Sequence, residues 1–179
     1  MKTFTYPFIA KLVYRYANIP VSLLLVFHLM FLLVGASYEL KLLLPASINI
    51  IILYIMNRYY IKMYKLFPYK IEIEKERMIC SDFFMSKKKL NIQLTDIINI
   101  DGGIFTGNPT KPIYLTDIDG NTIGVNQHLK NYNIFLTTIL SSVKKEVYET
   151  SLNKINKLKD KQLNSLIMRL LNKSKKSKN

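Results

Sequence analysis

The sequence predicts an α+β membrane protein: an N-terminal transmembrane helical hairpin, a small antiparallel barrel or strongly bent sheet, a C-terminal helix that covers it, and a basic helical tail. Three observations carry this expectation. Two apolar runs, residues 21–36 and 42–57, lie back to back with only a few residues between them. At Tyr69 the hydrophobic period changes from helical to two, and at Tyr132 it becomes helical again.

A helix needs about 20 mostly apolar residues, at roughly 1.5 Å each, to cross a hydrocarbon core of about 30 Å. With their interfacial edges, residues 19–38 and 42–60 both reach that length, so 19–60 is assigned to two spans. The first, VSLLLVFHLMFLLV, has no formal charge, and its Leu, Val and Phe side chains, at about −0.3 to −0.6 kcal/mol each, outweigh the central His28. In the second, Pro45 falls in the first turn, where a missing N–H costs little, and the apolar run around Ile51 supplies the centre. The same two runs also fit a buried hairpin in a soluble core, but their length and lack of charge favour lipid.

Orientation follows from the cations. Residues 1–18, a cytoplasmic interfacial leader, contain Lys2, Lys11 and Arg15 and no acid, and Arg58, Lys62, Lys65 and Lys70 follow the second span. The turn between the spans holds only Glu39 and Lys41. By the positive-inside rule both termini are cytoplasmic. Tyr14, Tyr16, Tyr38, Tyr59 and Tyr60 suit the headgroup level, where a ring is apolar and its hydroxyl wet. A basic start, an apolar stretch and Val34-Gly35-Ala36 also match a cleavable signal peptide, although the start is long and a second span follows at once. In either case the basic flank after Asn57 keeps the rest of the chain on the cytoplasmic side.

The chain of 179 residues leaves room after the hairpin for one domain of roughly 100 residues. One cysteine, Cys80, excludes an internal disulfide and a cysteine metal cluster, and is expected to be a half-buried structural thiol. The net charge of +14 is concentrated at the membrane flanks, at Lys87 to Lys89 and near the C-terminus. That distribution points to an anionic surface as partner, lipid ahead of nucleic acid.

Residues 70–74 and 89–94 alternate strictly, and Ile79, Ser81, Phe83 and Met85 share one phase between them, giving three antiparallel strands. Ile98, Ile100 and Ile104 continue into a fourth, with a bulge or bend at Gly102-Gly103. A hairpin follows over residues 112–125, turning at Asp119-Gly120-Asn121. Phe135, Leu136, Ile139, Leu140, Val143 and Val147 then form one stripe on a helix over residues 132–150. Six strands and a closing helix describe a bent sheet or barrel plugged at one end.

The order IEIEKERMICSDFFMSKKKLNIQLTDIINIDGG, then KPIYLTDIDGNTIGVNQ, then an amphipathic helix, resembles the bacterial pleckstrin-homology-like (PH-like) domain. The resemblance covers about residues 69–148, within a PH-like domain assigned to 69–150, and is most recognisable at Leu94-Thr95-Asp96-Ile97, where one strand ends before the next begins. It implies a seven-stranded bent barrel with a capping helix, beside two spans in a short protein of the bacterial inner membrane. Against that count one strand is absent or lies unrecognised in residues 102–110. The resemblance also implies that loops at the barrel's open end can meet phospholipid headgroups.

Residues 151–179 form the tail. Leu152, Ile155, Leu158, Leu163, Leu166, Ile167, Leu170 and Leu171 keep helical spacing among basic residues, while residues 172–179 alternate Lys and Ser and are expected to be disordered.

No HExxH, GxSxG or P-loop pattern is present, so no enzyme and no cofactor is expected. His28 is the sharpest single residue: an ionisable group in mid-span is a proton relay or ligand contact, or else a neutral imidazole bonded to Ser22, Ser47 or another subunit. Asn49 and Asn57 point toward helix packing. Asp82, Asp96, Asp101, Asp117 and Asp119 read as turn caps ahead of a cation site. Lys87, Lys88 and Lys89, and in the tail Lys154, Lys157, Lys161, Arg169 and Lys173, are the candidate contacts to anionic lipid or a partner, each lysine near a charged leaflet adding about 1 kcal/mol; the triplet also reads as a solvated turn.

The functional expectation is a non-enzymatic membrane interaction or scaffold protein, assembling with itself or with the subunits of a larger membrane complex. Two alternatives remain. The basic C-terminus, with nine Lys or Arg against one Asp after Asn153, suits an accessory factor that contacts RNA or a ribosome. His28, Asn49 and Ser47 suit a small oligomeric transporter or channel component.

Overall fold

The computed structural model describes residues 1–176, and side-chain surroundings as far as residue 160. Its first strand, β1 (Lys2–Thr5), lies within the expected leader and pairs antiparallel with β2 (Pro68–Glu74), Lys2 opposite Ile73 and Thr5 opposite Lys70. All the helical sequence of the hairpin is therefore inserted between two neighbouring strands of one sheet. It comprises α1 (Phe8–Tyr16), α2 (Asn18–Ala36), a short 3-10 turn at Leu40–Leu42 and α3 (Leu43–Leu66).

Prolines set the breaks. Pro20 lies in the first turn of α2 and lacks the N–H that would carry the α1 ladder through Ala17. Pro45 sits in the first turn of α3, as the sequence predicts. Pro68 pushes the residue before it out of helical space, and Phe67 duly turns extended, at φ −103° and ψ 105°, so that α3 enters β2 through one residue. The Phe67 ring occupies the space above Gly124, where an added Cβ would lie 2.4–2.8 Å from its ring carbons. Glycine at 124 thus lets the end of α3 seat on the sheet.

Helices α2 and α3 pack on each other through Ala36, Ala46, Asn18 and Asn49, small or polar residues that allow close approach. Two helical segments, Phe8–Ala36 (α1 and α2 together) and Leu40–Leu66, are each long and apolar enough to cross a membrane. Their most apolar stretches have mean hydropathies of 2.4 and 1.7, and only 6% and 11% of those stretches is buried against the rest of the chain.

The sheet domain is two antiparallel meanders. One has the order β1-β2-β3-β4, with β3 (Arg77–Phe83) and β4 (Leu90–Gln93). The other has the order β5-β6-β7, from β5 (Ile97–Gly102), β6 (Ile113–Asp117) and β7 (Thr122–Val125). A 3-10 turn at Leu94–Asp96 makes the corner between them. The sheets remain separate ladders and do not close into the expected barrel. Among the described residues seven strands are present where the alternation pattern yields six, and the additional one is β1, not a strand within residues 102–110. A 3-10 turn, Gly103–Thr106, lies there instead, entered through Gly102 and Gly103 at φ 80° and 50°.

Two phase predictions are corrected. In β3 the inward residues are Met78 and Cys80, not Ile79 and Ser81. Asp82 adopts φ 60°, which resets the alternation so that Phe83 turns inward and Met85 outward. In β5 the ladder shifts register between Ile97 and Asn99, so Ile97 and Ile100 both face the core while Ile98 is exposed.

The predicted single closing helix is likewise two, α4 (Tyr132–Ser142) and α5 (Lys145–Lys176). Val143 is extended between them. Phe135 and Ile139 of α4 plug the common core of both sheets, and the break allows α5 to turn and lay Val147 and Ile155 on the same core. α5 continues through Ser151 and Asn172 to Lys176, so the tail is helical where disorder is expected for residues 172–176. Residues 177–179 of that expectation lie outside the described residues.

Phe4 of β1 is 3% exposed and meets Phe135 edge to face at 5.4 Å. Phe4→Ala is expected to destabilise the domain by about 3–5 kcal/mol, read by thermal or urea unfolding of the detergent-solubilised protein. An unchanged transition would show that β1 is dispensable to the sheet.

Candidate functional site at the hairpin–domain junction

The sequence leaves Lys11 and Arg15 four residues apart on one helix with no acid anywhere in the leader, so their counter-charge must come from elsewhere. It comes from Asp82. Lys11 Nζ donates to Asp82 Oδ2 at 2.5 Å, and Arg15 Nη2 donates to Asp82 Oδ1 and, at 3.3 Å, to its backbone oxygen. The Arg15 guanidinium also lies 4.4 Å from the centroid of the Tyr69 ring. Burial at Asp82 disfavours its charge, but the hydrogen bonds and charges of Lys11 and Arg15 outweigh that effect and hold the carboxyl below its ordinary range.

Other polar contacts converge on α1. Tyr64 of α3 donates its hydroxyl hydrogen to the Arg15 carbonyl at 2.9 Å. The Tyr14 hydroxyl is 2.7 Å from His128 Nδ1, just beyond β7. Tyr6 accepts the Asn126 backbone N–H at 2.9 Å, and burial holds its phenol well above the usual range. Beneath these contacts a cavity of about 330 Å³ opens between the end of α3 and both sheets, walled by Tyr6, Tyr59, Met63, Phe67, Lys111 and Pro112 among others. Its apolar walls with a few convergent polar groups have the character of a ligand site.

The β3–β4 loop adjoins the junction. Phe84 packs between Tyr16 and Tyr64, with centroids at 5.3 and 4.5 Å, while Met85 is 89% exposed. Lys87, Lys88 and Lys89 are all exposed beyond it, and Lys88 Nζ reaches to 5.8 Å from the Phe83 ring.

The predicted tail contacts separate. Lys154 is half-buried and ties α5 to β5, donating to the Ile100 carbonyl at 2.9 Å and lying 3.6 Å from Asp101. Lys157 is exposed. The side chains of Lys161, Arg169 and Lys173 lie outside the described residues. Asp117 binds the Asn121 backbone and side chain in its turn, and with Asp82 and Asp101 paired to cations the acids form no metal-ligating group among the described residues. Cys80 is fully buried, beyond the half-burial expected, and its thiol is pushed up to about 12 by that burial.

Inside the hairpin, His28 pairs with Asn49 and with neither Ser22 nor Ser47. Asn49 Nδ2 lies 2.8 Å from His28 Nδ1, an amide N–H donated to the ring in its Nε2–H tautomer. Asn49 is 4% exposed and its Oδ1 has no hydrogen-bond partner. Ser22 instead joins Asn18 and Asn57, Asn18 Nδ2 donating to Asn57 Oδ1 at 2.9 Å. The packing role expected of Asn49 and Asn57 therefore has specific partners.

Tyr6 and Asn18 are the junction residues that pattern reading leaves out, while Asp82 and Tyr14 are read there as a turn cap and a headgroup-level aromatic and not as junction contacts. The unbalanced Lys11 and Arg15 pair is the one signal that calls for an acid. No protein-family model, no curated protein and no solved structure matches the chain.

Two measurements test this geometry. Asp82→Asn keeps a residue type that tolerates positive φ but removes the charge, and is expected to cost about 1 kcal/mol, or roughly 2–4 °C of melting temperature. The contribution of Asp82 is full above its unfolded pKa of about 3.9 and disappears as pH falls through its lower folded value, so the variant's deficit at pH 7 should vanish in acid. In the hairpin, His28→Leu and Asn49→Leu should each destabilise, while the double variant recovers a coupling of about 0.6–1.7 kcal/mol in a double-mutant cycle; zero coupling would remove the pair.

Proposed function

We propose that this protein is a non-enzymatic interaction module fixed to the cytoplasmic face of the bacterial inner membrane by a twice-spanning hairpin, with both termini cytoplasmic. The observation that carries the reading is the insertion of the hairpin between β1 and β2. A domain tethered by a linker samples many orientations, whereas here Tyr6-Pro7 on one side and Phe67 on the other are the whole connection. The domain is held at one height and one orientation, which suits a platform presenting a surface to a partner.

Several features support the membrane part. The hairpin's apolar surface has almost no cover from the chain itself. Lys11, Arg15, Arg58, Lys62 and Lys65 collect at the domain end, against Glu39 and Lys41 at the other, as the positive-inside rule requires. The Asn18, Ser22 and Asn57 cluster lies where the spans emerge toward the domain, and Asn49 is covered by the facing helix.

The meanders of four and three strands, with a helix plugging their shared core, support the PH-like reading of the domain. In that reading the hairpin occupies the connection between the first two strands. The exposed Lys87, Lys88 and Lys89, beside the outward Met85, are the surface offered to anionic lipid or to an acidic partner. Self-association or docking to a larger membrane complex is the partner class.

Lys41→Cys and Asp119→Cys, at the hairpin turn and the β6–β7 turn, test the topology with a membrane-impermeant maleimide on intact spheroplasts, where buried Cys80 gives the background. Labelling at 41 without permeabilisation, and at 119 only after it, is expected. The reverse pattern, or equal labelling of both, would reject the proposed orientation.

A further inference from the structure

The face of α1 opposite Asp82 has little cover at its N-terminal end among the described residues, while at its other end Tyr16 packs on Phe84 at 5.3 Å. Phe8 and Ile9 are 78% and 75% exposed, Leu12 and Val13 47%, and Tyr16 46%. Their spacing, i, i+1, i+4, i+5 and i+8, places all five on one side of the helix. Lys11, Tyr14 and Arg15 occupy the other side and are bound to Asp82 and His128. This is a helix with a satisfied polar face and an unsatisfied apolar one.

Its position decides what lies against that face. α1 starts beyond the end of β1, where Tyr6 meets Tyr69 of β2, and finishes with Arg15 on Asp82 at the end of β3. It therefore crosses the ends of three adjacent strands. Those are the ends nearest Pro68, where α3 enters the sheet, so the outer face of α1 looks to the side from which the hairpin emerges. Through Ala17, which keeps helical dihedrals of φ −58° and ψ −27°, the chain continues directly into α2, and the apolar surface of α1 runs on to that of the hairpin.

We propose that α1 is an in-plane membrane helix, its Phe8, Ile9, Leu12 and Val13 face sunk in the cytoplasmic leaflet while its polar face carries the domain. The proposal rests on the membrane reading above and names the lipid surface as occupant. An amphipathic helix of this kind buries its apolar side about 5–10 Å into the boundary between headgroups and acyl chains. Lys11 and Arg15 stay paired with Asp82 on the domain side, which leaves the apolar side of α1 for lipid. Lipid below α1 and Asp82 above it together fix the distance between the domain and the bilayer.

The chain contains no tryptophan, so single-tryptophan variants report depth without background. Full-length Phe8→Trp and Leu12→Trp probe α1. Phe27→Trp probes the hairpin, and Ile118→Trp, on the β6–β7 turn, the side away from lipid. Each is reconstituted into phosphatidylcholine and phosphatidylglycerol liposomes carrying lipids brominated either near the headgroup or deep in the acyl chains. Emission from positions 8 and 12 is expected to fall more with shallow bromine, that from 27 more with deep bromine, and that from 118 with neither. If 27 is quenched while 8 and 12 behave like 118, α1 is off the bilayer and the proposal fails alone, as it does if a second copy covers the face. If 8 and 12 respond chiefly to deep bromine, α1 extends the span and is not in plane. If 27 is unquenched, the membrane reading falls and the proposal with it.

Discussion

Pairing Lys2–Thr5 with Lys70–Ile73 obliges everything between them to leave the sheet and return within one strand spacing, about 4.8 Å. Two antiparallel helices of similar length joined by a short turn satisfy that condition, because a rise along one is undone along the other. Several details follow from it. Pro68 must stop α3 sharply enough for Phe67 to be the only link, and residue 124 must be glycine-sized for Phe67 to seat. α1 must run sideways across the strand ends before the chain can turn into α2.

The junction shows how such an arrangement is held. Among the described residues Asp82 is the acid that faces the two cations of α1, and it sits at the one place in β3 where a positive φ breaks the alternation. The same distortion turns Phe83 into the core and sends Phe84 against Tyr16 and Tyr64. A local backbone feature thus sets both the electrostatic latch on α1 and the aromatic contact to α3. Within the hairpin, hydrogen bonds among Asn18, Ser22 and Asn57 and between His28 and Asn49 align α2 with α3, since apolar packing alone discriminates poorly between helix registers. His28, in the middle of α2, acquires a partner from its own chain.

Much of the domain is legible in the sequence because strands β2 to β7 announce themselves by period two and by the Asp119-Gly120 turn. The misses have physical causes. β1 is only four residues long and is separated from its partner by the whole hairpin, so no local pattern marks it as a strand. The inward phase of β3 and β5 could not be read because a positive φ and a register shift act on backbone geometry, which composition does not record. The break at Val143 has neither proline nor glycine beside it; the helix parts there because α4 and α5 each have their own apolar face to lay on the core.

By itself the sequence determined the order of helical and strand segments, the length and apolarity of the two long helices, and the charge asymmetry at their ends, since each depends on residues close together in the chain. Tertiary structure alone decided that the hairpin is an insertion between two strands, that the strands of the described residues form two open sheets in place of a barrel, and that Asp82 answers the basic leader. These are matters of which distant groups meet. Hydrophobic period and charge make a residue available for contact, but the partner is chosen only when the whole chain satisfies its backbone hydrogen bonds and buries its core at once.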